Sequence, residues 1–335
     1  MRIFVTGGAG YIGSILVKKL IENGYNTTVL DLFLFGDKGL SDIIDDKHLR
    51  IVKGDVRTYD PALIRGHDVI VDLAAISQPD PLYKIDEKLF HEINYLAPIR
   101  TASIASKYNV ERYIFTSTCS VYGFRDGLID ESSEPMPLEN YAKSKYMAEC
   151  DILAMKKLNK IILRLATVYG YSPKMRFDLV VNAMTLTLFK DKKIRVGRPG
   201  IQIRPVVHIK DVVDSIVKII EAPLDLVNGE IFNVGSDEQN YRIIDLANEI
   251  FKALGKEPVI EFYGEPDTRS YIVSFKKIQN ILKFKYKYTV ADGVKEVYSA
   301  LEDGIIRDEP WTKVIDWWYT ITAKEIIKPL GMKEG

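Results

Sequence analysis

Arg2-Ile-Phe-Val-Thr-Gly-Gly-Ala-Gly-Tyr-Ile-Gly13 is the stretch from which the architecture of this chain can be read. Its first five residues read as a short buried strand. Gly7, Gly10 and Gly13 follow at spacing three, just ahead of an apolar-periodic segment from Ile12 to Leu20. Strand, glycine turn and helix in this order predict a dinucleotide-binding unit. Glycine lets the backbone turn sharply, lets a pyrophosphate approach the main chain, and lets the helix pack closely on the strand. The helix N-terminus adds N–H donors and a partial positive charge for the phosphates. A second strand, Thr27-Thr-Val-Leu-Asp31, ends on a carboxylate 18 positions after Gly13, where it can accept hydrogen bonds from both hydroxyls of an adenosine ribose. An acid there repels the 2′-phosphate of NADP, so the pattern points to NAD. The competing reading is a plain glycine turn followed by a solvated aspartate; spacing and order together favour the cofactor.

Outward from this unit the alternation continues. Leu49–Lys53, Asp68–Asp72, Tyr113–Thr116 and Ile161–Arg164 read as strands, with helices around Leu89–Lys107 and from Tyr141 to Leu158. Strands separated by helical crossovers predict an α/β fold with a Rossmann-type, doubly wound parallel sheet over residues 1–165. From residue 166 onward Pro and Gly punctuation thickens (Pro173, Gly197, Pro199, Gly200, Pro205), and residues 166–335 read mainly as a smaller C-terminal lobe that binds the substrate. Within 205–235, Val206–His208, Val212–Ile220 and Ile231–Val234 read as further α/β units, part of which returns to the sheet. Trp311, Trp317 and Trp318 read as a packing helix. No fixed-period repeat or low-complexity tract is present.

Composition narrows the class. The 335 residues carry 46 basic and 46 acidic side chains, a balance that offers no support for a nucleic-acid or anionic-membrane surface. No apolar run approaches the ~20 residues of a membrane span, and a strand beginning at residue 2 leaves no room for a signal peptide. Two cysteines, Cys119 and Cys150, make neither a disulfide framework nor a metal site. The expectation is a soluble, cytoplasmic protein without a metal.

Chemistry enters with Tyr141 and Lys145 in Asn140-Tyr-Ala-Lys-Ser-Lys145. Four residues apart on a helix, a phenol and an ammonium share a face, and the ammonium can lower the phenol from its usual pKa of about 10 toward neutrality. The phenol could then exchange a proton with a substrate hydroxyl. Thr116-Ser-Thr-Cys-Ser-Val-Tyr-Gly123 follows a strand end, where parallel sheets present their ligands, so its hydroxyls would face the same crevice. The bland fate of any one Ser or Thr there is a turn residue bonding its own backbone. Hydroxyl, phenol and ammonium together suit proton movement on a sugar alcohol while a hydride moves to nicotinamide.

With these motifs in order the chain resembles the extended short-chain dehydrogenase/reductases that act on nucleotide sugars, and in particular the sugar-nucleotide 4-epimerases. The resemblance also runs through Gly54–Arg57, Leu73–Ala75, Asn94, Arg164–Gly170, Asn182 and Arg204–Asp211. It implies that Gly7, Gly10, Tyr11, Ile12 and Gly13 line the pyrophosphate turn and that Asp31 holds the adenosine ribose. Asp55 and Val56 would flank the adenine, and Leu73, Ala74 and Ala75 would pass beside the nicotinamide half. Thr118 is implied as the catalytic hydroxyl, Tyr141 as the acid/base, and Lys145 as ribose anchor and pKa tuner. Asn182, Arg204 and Arg269 fall where the family binds the substrate's diphosphate and nucleoside, and Thr167 stands in its substrate segment. Asp211 is expected as a helix cap or salt-bridge partner. A homodimer through helices near 88–107 and 141–158 is implied by the same analogy.

Two departures from the family pattern bear on the reaction. The 4,6-dehydratases carry an Asp-Glu pair directly after the catalytic Thr, and uronate decarboxylation leans on a Glu at the second of these positions; here they hold Cys119 and Ser120. A free thiol titrates near 8.5 and a serine hydroxyl does not titrate, so neither replaces a carboxyl. Where many 4-epimerases have Asn, this chain has Thr167, whose single hydroxyl cannot reproduce an amide's contacts. The implied function is NAD-dependent C4 epimerisation of a nucleotide-diphosphate sugar through a 4-keto intermediate, with UDP-glucose and UDP-galactose as the first substrates. A 4-keto-sugar reductase or dehydrogenase is the alternative enzyme. A non-catalytic NAD-binding sensor is the alternative from another class.

Overall fold

The structure, a computed structural model, describes residues 1–77, 87–265 and 270–318. Seven parallel strands stand in the order Ile231–Val234, Lys160–Leu165, Arg112–Thr118, Val69–Asp72, Arg2–Thr6, Asn26–Asp31 and Leu49–Lys53. Strands Val69–Asp72 and Arg112–Thr118 are buried almost throughout, as parallel strands covered on both faces must be, whereas the edge strand Leu49–Lys53 is only half buried. Alternation sorts the side chains: Ile3 and Val5 join the core beneath Leu16, Val17 and Leu20 of helix Tyr11–Glu22, while Phe4 faces the opposite layer with Ala102, Ala148 and Ile152. The strand order reverses between Arg2–Thr6 and Val69–Asp72. That switch point opens a crevice beyond the strands' C-terminal ends.

The helix expected over Leu89–Lys107 is interrupted. It runs as Glu87–His91, a wider π turn Glu92–Leu96, and Ala97–Lys107. Pro98 has no N–H to donate four residues back, which accounts for the loosened turn just ahead of it. Asn94 within this turn is fully buried and clasps Ile76 by both backbone groups, at 2.9 and 3.0 Å. The helix carrying Tyr141 spans Asn140–Ala154, four residues short of the expected end.

Beyond the sheet, Thr167–Tyr169, Ile203–His208 and Asn240–Arg242 form a small sheet of their own, flanked by helices Val180–Asp191, Ile243–Leu254 and Val290–Glu302. Leu188, Val206, Leu246, Ile250 and Val294 pack in its core. The 205–235 segment is divided: Val206–His208 pairs with Thr167–Tyr169, whereas helix Ile209–Glu221 packs beside Tyr11–Glu22 and strand Ile231–Val234 completes the large sheet. Asp211 is not the cap of its helix, and it makes no salt bridge among the described residues. Buried, it accepts the backbone N–H groups of Lys287 and Tyr288 at 3.0 and 3.1 Å, and His208 caps the helix instead. Among the described residues no helix is long and apolar enough to cross a membrane.

Candidate active site

The glycine turn is built by contact as well as by conformation. Gly7 has φ +68°, where a side chain is strained, and a Cβ on it would lie 2.9 Å from the Ala74 backbone. A Cβ on Gly13 would lie 2.3 Å from the Gly7 carbonyl oxygen, so helix Tyr11–Glu22 can approach the strand only without one. The helix starts with no acidic residue in its first turn and no side-chain cap, leaving its positive end to a ligand phosphate. Gly7, Gly10, Tyr11, Ile12 and Gly13 line one cavity at the switch point.

Asp31, Asp55 and Val56 line the same cavity, as do Leu73, Ala74 and Ala75. Asp31 accepts N–H bonds from Ala9 (2.9 Å) and Phe33 (2.8 Å), and burial pushes its carboxyl above the ordinary range. A carboxylate has about four acceptor sites, so two amides leave capacity for a ribose. Asp55 is forked by Arg57, which is also bonded to Glu92 at 2.6 Å. These pairs fix the wall. Asp72, at the end of its strand, is fully enclosed and accepts hydroxyl bonds from Thr6 and Tyr113, both 2.6 Å.

A second cavity adjoins the first, and Ser77, Ser117, Tyr141 and Arg176 stand on the wall of both. Here the structure departs from the expected phenol–ammonium partnership. Lys145 is buried, with its ammonium 4.3 Å over the Phe115 ring, and its charge is felt by Asp72 and Glu149. Burial pulls it down to about 8. Burial pushes the Tyr141 phenol up to about 12, and the cation that counters this rise is Arg176. One helix face carries both Tyr141 and Lys145, yet the longer side chain is buried and ends over the Phe115 ring. Arg176 is fixed by Asp178, Nε to Oδ1 at 2.9 Å and Nη2 to Oδ2 at 3.0 Å, and donates to the Ser77 hydroxyl.

Thr118 closes strand Arg112–Thr118 and accepts the Ser120 N–H at 3.1 Å, the turn-residue fate, while still lining the second cavity. Cys119 turns into the core: it is 1% exposed, donates to the Arg164 carbonyl at 3.2 Å, and burial raises its thiol. Ser120 lines the second cavity. Ser117 Oγ is buried where the two cavities meet, with no hydrogen-bond partner among the described residues. An orphaned hydroxyl in a cavity that also holds a glycine cradle and the Asp31 carboxylate fits NAD.

The predicted substrate residues separate. Thr167 and Arg204 line the second cavity, with Arg204 5.5 Å over the Tyr271 ring. Asn182 does not reach the wall. It is fully buried, bonding the Gly170 N–H (3.1 Å), the Tyr11 hydroxyl (3.0 Å) and the Arg176 carbonyl (3.0 Å), and so positions two residues that do reach it. Arg269 lies outside the described residues. Sequence reasoning missed Arg176, Ser77, Lys174, Arg195 and Tyr271, all on cavity walls. The one available signal was Lys174-Met-Arg176, two cations in the punctuated segment after Gly170. No cluster of three metal-ligating side chains occurs among the described residues.

Residues 3–235 match the NAD dependent epimerase/dehydratase family, and the chain belongs to it. It is similar to an uncharacterized UDP-glucose epimerase, YtcB, of Bacillus subtilis, 28% identical over 311 residues that cover 88% of this chain and 96% of that one. It is also 28% identical to human dTDP-D-glucose 4,6-dehydratase over 265 residues, 76% of this chain and 74% of the other. Among solved structures, the UDP-glucuronic acid 4-epimerase of Bacillus cereus in complex with UDP-glucuronic acid and NAD superimposes with a TM-score of 0.82 at 24% identity, covering 90% of this chain and 99% of that one. That likeness is one of fold. The protein is an NAD-dependent enzyme of this family.

Proposed function

We propose that this NAD-dependent family member is a cytoplasmic 4-epimerase of nucleotide-diphosphate sugars, with UDP-glucose and UDP-galactose as the first substrates to consider. The observation that carries the reading is the wall around Tyr141: Thr118 and the phenol face the second cavity, while position 119 is a thiol locked into the core and position 120 a serine. Elimination of water needs an acid and a base beyond those that oxidise C4. Epimerisation needs only the proton exchange at O4.

Bound NAD supplies a hydride acceptor and donor. Tyr141 Oη, as phenolate, takes the proton of the C4 hydroxyl, assisted by the Thr118 hydroxyl, and returns it after the 4-keto sugar has turned over. Arg176 stabilises the phenolate from the cavity side, and Lys145, buried over the Phe115 ring, is left the role of ribose anchor. Arg204, Arg195 and Tyr271 line the cavity where a diphosphate and a base can be held by charge and by stacking. A homodimer through the segments near 88–107 and 141–158 belongs to the same reading, by family resemblance.

Purified protein incubated with UDP-glucose or UDP-galactose should convert each toward one equilibrium mixture without added cofactor. Because Thr167 and Arg176 alter the sugar end, UDP-glucuronate, UDP-N-acetylhexosamines and dTDP- and GDP-hexoses belong in the same assay. A stoichiometric demand for NADH on every substrate would replace this reading with a reductase. A dehydrated keto sugar would make it a dehydratase, with Glu139 on the cavity wall as the first carboxyl to test.

A further inference from the structure

The last described stretch of the chain returns to the cofactor cavity. Beyond helix Val290–Glu302 it crosses the substrate lobe, with Asp308 paired to Lys190 and Lys313, both at 2.7 Å, and ends in the short helix Val314–Trp318. Val314 is buried and lines the cavity near the Asp31 end, together with Leu34, Phe35 and Lys174. The Trp317 indole N–H donates to the Leu34 carbonyl at 2.7 Å, and its ring lies 6.5 Å from that of Phe35. Leu34 and Phe35 lie three and four residues after Asp31, the carboxylate proposed to hold the adenosine ribose, so this stretch sits against the adenosine half of the site.

The stretch is also tied to the substrate side. Thr312 accepts the Phe177 N–H at 2.8 Å, Trp311 accepts the Lys174 ammonium at 2.5 Å, and Asp178 Oδ2 accepts the Val314 N–H at 3.1 Å. The same carboxylate oxygen holds Arg176 at 3.0 Å, so one side chain joins this stretch to the wall beside Tyr141. Val314 and Trp317 pack in one apolar cluster with Leu34, Phe35, Ile76 and Tyr141, which spans both cavities.

We propose that residues 310–318 form a strap that closes the adenosine half of the NAD site, with Trp317 as its latch on the Leu34 carbonyl, so that the cofactor leaves only when the strap opens. Closure makes NAD a resident group. This inference rests on NAD binding and is independent of which sugar reaction the enzyme performs. Opening breaks the indole bond and exposes apolar surface of Val314 and Trp317, so the open state is rare and dissociation is slowed by its rarity. The strap's tie through Asp178 further implies that its closure and the orientation of Arg176 are one event.

The test is NAD release from the full-length, NAD-loaded protein, followed after rapid dilution. Trp317→Ala should raise the dissociation rate about ten- to a hundred-fold. Trp317→Phe, which keeps an apolar ring and loses the indole N–H, should fall between the two. Hydrogen exchange on the unmutated protein is the second readout: the amides of Thr312 and Val314 should exchange more slowly when NAD is added. A dissociation rate unchanged in folded Trp317→Ala overturns the proposal. So does exchange at these amides that ignores NAD, an outcome that holds even if the variant fails to fold. Neither result touches the epimerase reading, which is decided by product analysis.

Discussion

Replacing Arg176 by Gln should move the pH dependence of turnover, because Arg176 is the cation that opposes the burial-driven rise of the Tyr141 phenol. An opposite charge close to an acid shifts its pKa by roughly 1–3 units. Asp178 holds the guanidinium by two bonds, at 2.9 and 3.0 Å, and cancels part of its field, so the lower end applies: about one unit, or about 1.4 kcal/mol. The active form is the phenolate. Removing a cation therefore raises the apparent pKa, and because the phenol starts from about 12, kcat falls about tenfold at every pH below that value. Gln can still bond Ser77 and Asp178, so the loop around it should hold. Rates of sugar interconversion under saturating substrate, from about pH 6 to about pH 10, supply the comparison. Arg176→Lys, which keeps the charge without the planar fork, should restore most of the shift. If the kcat profile of Arg176→Gln superimposes on that of the unmutated enzyme and only KM rises, Arg176 binds substrate and does not tune the phenol.

Three further outcomes are expected. Tyr141→Phe removes only the ionisable hydroxyl, so turnover should drop by roughly 10² to 10⁴ while NAD affinity, read by fluorescence titration, stays near its original value; near-normal turnover would displace Tyr141 as the acid/base. The Asp31 carboxylate should make NAD bind more tightly than NADP in direct competition, and Asp31→Ser should narrow the gap; equal affinities in the unmutated protein would contradict the assignment. Glu149→Ala leaves Arg164 buried without the carboxylate it meets at 2.7 Å, and urea unfolding should show a loss of about 3–5 kcal/mol; a loss under about 1 kcal/mol would mean the pair behaves as an exposed one.

What was legible in the chain was what local spacing encodes. Glycines three apart between an apolar run and a helical period encode a tight strand-to-helix turn, and Asp31, at the end of the next strand, lines the same cavity. Alternating strands and helices encode the parallel sheet in the same way, since each element must bury one face. Local cues failed where a long-range partner decided. Pro98 is visible in the sequence, but the π turn ahead of it is held by Asn94 bonding Ile76, 18 residues away. Tyr141 and Lys145 share a helical face by period alone, but the ammonium lies buried over Phe115 of a neighbouring strand, a placement no local period contains. Arg176 and Asn182 could be placed only after the 170–182 segment had folded back onto the glycine turn through the Tyr11 hydroxyl and Ser172, bonds that join residues about 160 positions apart. The terminal tryptophans read as packing; that Trp317 packs on the loop following Asp31, 283 residues from its Leu34 partner, is a fact of chain closure that no local period contains. Side-chain type and spacing determined which chemistry was possible here, and tertiary folding decided which charges stand beside the phenol, because burial and proximity set a group's pKa and neither is a property of the chain alone.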